Sequence, residues 1–276
     1  MNNKMAELIE STKVKCFTKK VKEIEIPGFA VFLPDAHIQD NGTSNAYKVC
    51  KQFIKDMQPN KIIIPGDWMD VASFSAWDRD KRQLMEGRRW KKECCVANIE
   101  LDFLQENSEE VVFLGGNHED RVRRYVEIHP EVEGLVEVEL MLKLKERGIK
   151  WIPYTSQEVY MLGKLLATHG WITTENYTKK TLEKIGCNCV VCHTHRPQTY
   201  FATSKMTEAK FCWGLGTLGD LEPEYLAGKP STSNHGFGVC SYKKNGNFSF
   251  YPINQSKNGG FMWGRKEYSI EMMELG

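Results

Sequence analysis

Short apolar runs, each closed by a glycine, a proline or a polar pair, recur along the first two-thirds of the chain. Residues 111–114 (VVFL) are too few for an ordinary helix and fit one buried strand. Gly115 and Gly116 break the run, and Asn117 and His118 follow at the turn. The same grammar appears at 29–33 (FAVFL), which ends in Asp35 and His37, and at 61–64 (KIII), where Pro65-Gly66 precedes Asp67 and Asp70. Three-and-four spacing of apolar residues predicts helices over 43–57, 78–107, 119–128, 135–147 and 174–185. Further strands are predicted over 149–152, 159–162, 164–168 and 188–192, the pair around Gly163 being adjacent. The strand–helix–strand order implies right-handed parallel crossovers. Beyond Pro197 the pattern changes to short β segments with glycine-rich turns, at 200–204, 209–214, 235–242 and 247–252. Residues 1–26, lysine-rich with isolated apolar positions, read as an N-terminal extension; 27–276 read as one domain with a helical insertion around 78–147.

Composition narrows the class. A length of 276 residues suffices for a layered core, and a net charge of +1 excludes polyanion binding by bulk electrostatics. Any nucleic-acid contact must come from a local patch. The opening residues lack the apolar core of a secretory signal, and no run reaches the eighteen or so apolar residues of a membrane span. With nine cysteines in no regular framework, reduced thiols and a cytoplasmic location are expected, with no membrane partner.

The candidate chemistry lies where strands end. Asp35, His37, Asp67, Asn117, His118, His169, His193 and His195 all follow predicted strands, and five of the seven histidines are among them. Imidazole and carboxylate ligands suit Mn, Fe, Zn or Ni, and ligand sets of this kind build two-metal hydrolytic sites. Taken singly, an Asp after Pro-Gly is a turn former and a lone His is more often structural; the argument rests on the set.

In order, DAH (35–37), GDWMD (66–70), GNHE (116–119), THG (168–170) and HTH (193–195) resemble the ordered motifs of the calcineurin-like metallophosphoesterase superfamily. The resemblance implies an α/β fold, a four-layer α-β-β-α sandwich of two mixed sheets. It implies two divalent metal ions, manganese first among the candidates. Asp35, His37 and His195 would hold one ion, Asn117, His169 and His193 the other, and Asp67 would bridge them. It further implies hydrolysis of a phosphomonoester or phosphodiester by a water or hydroxide on the two metals, with His118 as general acid hydrogen-bonded to Asp70. Proton donation by an imidazole beside a ligand Asn is chemically apt in its own right, since the departing oxygen needs a proton. Three positions depart from the pattern. Val71 and Gly115 stand where the protein Ser/Thr phosphatases carry phosphate-gripping arginines, which sets the chain apart from that branch; Cys192 replaces the glycine usual before the HxH pair.

Two other readings bear on function. The basic stretch Arg88–Lys92, with Arg121, Arg123 and Arg124, could contact a nucleic-acid backbone with Trp90 stacking on a base, which would make the protein a nuclease or end-processing enzyme. The plain alternative is a solvated helix face, or an arginine that binds the substrate's phosphate. Cys187, Cys189, Cys192 and His193 are competent zinc ligands, but strand alternation sends Cys192 to the face opposite the other two thiols. His235 matches no motif and is expected in a turn.

Overall fold

Why two sheets form, and why they stack, follows from the alternation within each short strand. In the computed structural model, which describes residues 27–76, 80–81, 85–223 and 231–274, strand β1 (Gly28–Phe32) is buried on both faces. Val31 points toward helices, while Ala30 and Phe32 point toward a second sheet. The first sheet has the order β11-β10-β1-β2-β3-β4. Its members β2 (Lys61–Ile64), β3 (Glu110–Leu114) and β4 (Lys150–Ile152) run parallel to β1, whereas β10 (Gly236–Tyr242) pairs antiparallel with β1 and β11 (Phe248–Asn254) antiparallel with β10 at one edge. The second sheet has the order β5-β6-β7-β9-β8. There β6 (Leu165–Ala167), β7 (Cys189–Val191) and β9 (Lys210–Gly214) are parallel, flanked by antiparallel β5 (Tyr160–Leu162) and β8 (Gln198–Ala202).

Phe32, Ile63, Val112 and Ile152 of the first sheet pack on Leu165, Val190 and Trp213 of the second. On the first sheet's other side, Val31, Ile62, Val111 and Phe113 meet α1 (Asn45–Met57) and α2 (Trp90–Glu106) through Phe53, Ile54, Ala97 and Leu101. The second sheet's outer face, with Leu166, Cys189 and Val191, is covered by Tyr177 and Leu182 of α5 (Tyr177–Ile185). The order helix, sheet, sheet, helix is the expected four-layer α/β sandwich. Residues 1–26, the predicted N-terminal extension, lie outside the described residues.

Several local expectations are corrected. The helix expected over 78–107 begins only at Trp90, because Gly87 takes a left-handed conformation (φ +80°) and residues 85–87 form a turn. The helix expected over 135–147 is the single turn α4 (Val138–Met141), after which Lys143 adopts φ +53°. Helix α5 starts at Tyr177, three residues later than the pattern predicts. A hairpin of β12 (Phe261–Trp263) and β13 (Lys266–Tyr268), which the pattern does not show, closes over α1 with Phe53 ringed by Phe261, Trp263 and Tyr268. A short helix α6 (Ile270–Glu274) follows. None of the described helices is long and apolar enough to cross a membrane.

Candidate metal centre

The parallel pairing of β1 and β2 continues past both strands, and this is what sets two of the motifs side by side. Asp35 N donates to Gly66 O (3.3 Å), His37 N to Asp67 O (3.1 Å), Ile38 N to Trp68 O (2.9 Å), and Asp70 N returns the bond to Ile38 O (3.0 Å). The zipper holds the DAH and GDWMD loops in register at the carboxyl end of the sheet, the edge where α/β sheets bind ligands. Eight non-glycine residues among those described have positive φ, and five of them are Asp35, His37, Asp67, His193 and His195. Such backbone costs of order 1–3 kcal/mol per residue and persists where the surroundings force it.

Four overlapping groups of donor atoms result among the described residues, two of which correspond to the expected sets. In the first, His37 Nε2 and His195 Nε2 face one another at 3.1 Å, with Asp35 Oδ1 3.6 Å from His195 Nε2. In the second, His169 Nε2 lies 2.9 Å from Asn117 Oδ1, 3.1 Å from His193 Nδ1 and 3.4 Å from Asp67 Oδ2. The seven residues expected as ligands are therefore brought together. Asp35 links the groups: its carboxylate accepts from His193 N (3.1 Å) and reaches within 3.9 Å of His169 Nδ1. Asp67 belongs to the second group, and its charge also acts on His37.

The donor chemistry fits cations. Ligand bonds of ~2.1 Å about one ion place neighbouring donors ~3 Å apart when they subtend roughly a right angle, the spacing seen here between imidazole nitrogens. Burial, and then the charge of His195, lowers His37 to about 3; burial also lowers His118 and His193, leaving these rings neutral at pH 7, the form that binds metal. His169 differs: burial opposes its protonation, yet Asp67 and Asp35 raise it to about 9. Burial would raise the Asp67 carboxyl, but His118 and His169 hold it well below the usual carboxylate range.

His118 and Asp70 meet otherwise than expected. The His118 Nδ1 donates to the main-chain carbonyl of Asp70 at 2.6 Å, while the Asp70 carboxylate stands 3.6 Å from that nitrogen. A carbonyl only accepts, so the proton sits on Nδ1; Nε2 then accepts from Arg121 Nη2 at 2.9 Å. Arg121 Nη1 also donates to the Asp70 carbonyl (2.9 Å).

Sequence reasoning misses the residue that ties these loops together. Glu119, 3 % exposed, accepts from the backbone N–H of Gly116 (2.8 Å), Asp67 (3.0 Å) and Met69 (3.0 Å). It staples the GDWMD loop to the GNHE turn, and burial followed by the nearby Asp67 raises its carboxyl to about 7. The only hint in the sequence is an acid at the third position after Gly116, where a capping residue can reach back to main-chain N–H groups. Two glycines allow the loops to nest. A Cβ on Gly66 would meet Gly116 Cα at 2.8 Å, and one on Gly116 would press into Asp67. At Gly115 a side chain would meet Trp151 and the Tyr154 amide at 2.9 Å, so no arginine fits there.

The remaining candidates fall elsewhere. Trp90 is not presented for stacking: its Nε1 donates to Val136 O (3.2 Å) and its ring packs edge-on to Phe74. Arg88 donates to Gln39 Oε1 at 2.9 Å, whereas Arg89, Lys91 and Lys92 are exposed. Cys189 is buried behind the second sheet and Cys192 inside near His169, so no described cluster unites Cys187, Cys189, Cys192 and His193 as a zinc site. His235 bridges to Thr217 in pairing and donates through Nδ1 to the Thr217 carbonyl (3.2 Å), not in an open turn.

The chain belongs to the calcineurin-like phosphoesterase family, whose model matches residues 30–225. Among solved structures it is similar to Vps29 of Chaetomium thermophilum, with 12% identity, 88% of this chain and 98% of that chain covered and a TM-score of 0.48. It is also similar to the nuclease MPE of Pseudomonas putida, with 11% identity, 80% and 87% covered and a TM-score of 0.35. None of the curated proteins compared with the chain matches it.

Proposed function

We propose that the chain is a phosphoesterase that hydrolyses a phosphomonoester or phosphodiester at a pair of divalent cations. The observation that carries this reading is the convergence of donors from five separate loops into two adjoining groups. Asp35, His37 and His195 would hold one ion and Asn117, His169 and His193 the other, with Asp67 between them. Such ions act as Lewis acids that neutralise phosphoryl charge and make water nucleophilic near neutral pH; manganese is the first choice, with iron, zinc and nickel compatible with the donors.

The chain's own groups supply the rest. Arg121 points its guanidinium at the edge of the site and can donate to a phosphoryl oxygen. Water adds at phosphorus and gives up a proton, and the bond from phosphorus to the leaving oxygen breaks; His118 would supply that oxygen's proton from Nε2 once it has taken one up there in the substrate complex. Burial, with Arg121, keeps His118 neutral in the resting site, and an incoming phosphoryl anion offsets the Arg121 charge and favours protonation of the ring at Nε2, which the acid role requires. The Asp70 carbonyl fixes the ring so that Nε2 faces the reacting position. Eight described cysteines, all without disulfides, support a reducing, cytoplasmic setting.

Turnover of p-nitrophenyl phosphate and its bis ester with Mn²⁺ tests the proposal. Asp67→Asn should abolish it, and His118→Ala should slow alkyl esters by roughly 10²-fold while sparing p-nitrophenyl esters, whose leaving group needs little acid help. Absence of metal-dependent turnover on both compounds contradicts it. Exposed Arg89, Lys91 and Lys92 at the start of α2 favour nucleic acid as a second reading; their joint replacement by alanine should then weaken binding and flatten its salt dependence.

A further inference from the structure

Arg121 has two neighbourhoods. On one side it contacts His118 Nε2 and the Asp70 carbonyl; on the other it forms part of the wall of a cleft of about 510 Å³. Phe74, Met85, Arg124, Tyr125 and His129 complete the part of the wall that matters here. Tyr125 sits edge-on to Phe74, with ring centroids 4.9 Å apart, and lies against His129 at 4.4 Å and 31°, so three rings make one continuous aromatic surface. Arg124 is oriented from the same helix, α3 (Glu119–Ile128), by Asp120 at 3.1 Å.

The position of the cleft decides what part of a substrate it meets. A general acid must stand on the leaving-group side of phosphorus, because it delivers its proton to the departing oxygen. Arg121 is the residue that joins His118 to this cleft, so a leaving alcohol that extends past His118 along the Arg121 guanidinium would enter it. The volume lies in the range of small-molecule sites, and aromatic faces beside guanidinium groups suit a planar ring carried on a phosphorylated sugar. A second cleft, of about 360 Å³ on the His37 side, is lined instead by groups such as Asn41, Asn45, Asp220 and Lys257, with no Phe, Tyr or Trp among the described residues.

We propose that the Phe74–Tyr125–His129 cleft binds the base of a nucleoside leaving group, which makes nucleotides or their diesters the substrate class. The proposal rests on the phosphoesterase reading above and deepens it. Two substrate pairs isolate the base: adenosine 5′-monophosphate against ribose 5-phosphate, and the dinucleotide dApdA against the same backbone with abasic residues. Rates on the Mn²⁺-loaded protein give kcat/KM, and equilibrium dialysis of adenosine 5′-monophosphate and ribose 5-phosphate gives affinity without turnover. The base-bearing member of each pair should be preferred by roughly ten- to hundredfold, the range that base–aromatic stacking supplies. Tyr125→Ala should cut that ratio to about threefold or less, and Tyr125→Phe should keep it. Should Tyr125→Ala unfold, His129→Ala at the half-exposed rim takes its place. Equal rates and affinities within each pair, or an undiminished ratio in a folded alanine variant, overturn the proposal. If neither these compounds nor bis(p-nitrophenyl) phosphate is hydrolysed, the phosphoesterase reading fails, and the dialysis ratio still decides whether the cleft recognises a base.

Discussion

Replacing Glu119 by alanine asks whether one buried carboxylate holds the two central loops together. Its oxygens accept from three main-chain N–H groups, at 2.8, 3.0 and 3.0 Å, in a place 3 % exposed. Each stripped N–H costs ~1–3 kcal/mol, less where water enters the vacated space. Burial, which raises the carboxyl to about 7, already charges the native protein for ionising it at pH 8. The net loss is therefore about 3 kcal/mol, which for a chain of this size lowers the melting temperature by roughly 6–12 °C. Glu119→Gln keeps one accepting oxygen and should lose about half as much. Asp67 and Asn117 sit on the segments released, so Mn²⁺ affinity should fall about 10- to 100-fold in the alanine variant, the usual cost of removing a group that orients ligands. Thermal unfolding of the metal-free protein and titration with Mn²⁺ measure the two effects separately. A shift below ~2 °C with unchanged metal affinity would refute the stapling role.

Three further outcomes follow from the same geometry. Gly116→Ala drives a methyl into Asp67, with the carboxylate carbon at 2.9 Å, and should cost ~1–3 kcal/mol with loss of metal binding, read by calorimetry and Mn²⁺ titration. Glu93 accepts from Val71 N at 2.6 Å, and burial lifts its carboxyl from 4.5 to about 8. A raised folded value means stability that is complete below pH 4.5 and lost as pH climbs through about 8, so Glu93→Gln should gain on the native protein across that window, by at most ~5 kcal/mol at 1.36 kcal/mol per pH unit; denaturant unfolding at pH 5 and pH 8.5 checks the sign. Arg121→Ala removes a positive charge that lowers His118, so the His118 titration of the metal-free protein, followed by NMR, should move upward.

The strand ends were legible because each is a short apolar run with a polar pair behind it, and burial on both sheet faces leaves little else that such a run can be. The candidate donors could be picked out for the same reason, since DAH, GDWMD and HTH put polar groups where β1, β2 and β7 stop, while their division into two ligand sets came from the family resemblance. What the chain order hides is contact between segments far apart. Glu119 looks like one more helical acid until three amides from two loops converge on it. Arg121 resembles a solvated helix charge, and its link to His118 depends on the turn's shape. The overlong helix at 78–107 arose from favourable local propensity running through Gly87, where tertiary structure imposes a left-handed turn. The truncated α4 ends where Lys143 takes φ +53°, a conformation that breaks the helical ladder, and Arg147 beyond it bonds Asp102 (2.6 Å) and Gln105 (2.9 Å) on α2. Trp90 fitted both an apolar stripe and a stacking platform, and packing against Phe74 decides for the stripe.

The central claim is that donors from five loops form a site for two neighbouring cations. Crystals equilibrated with Mn²⁺ and measured for anomalous scattering test it most directly. The account predicts two peaks per chain, one bounded by Asp35, His37 and His195 and one by Asn117, His169 and His193, with Asp67 touching both. A single peak, peaks elsewhere, or an Asp67 carboxylate that reaches only one ion would contradict it.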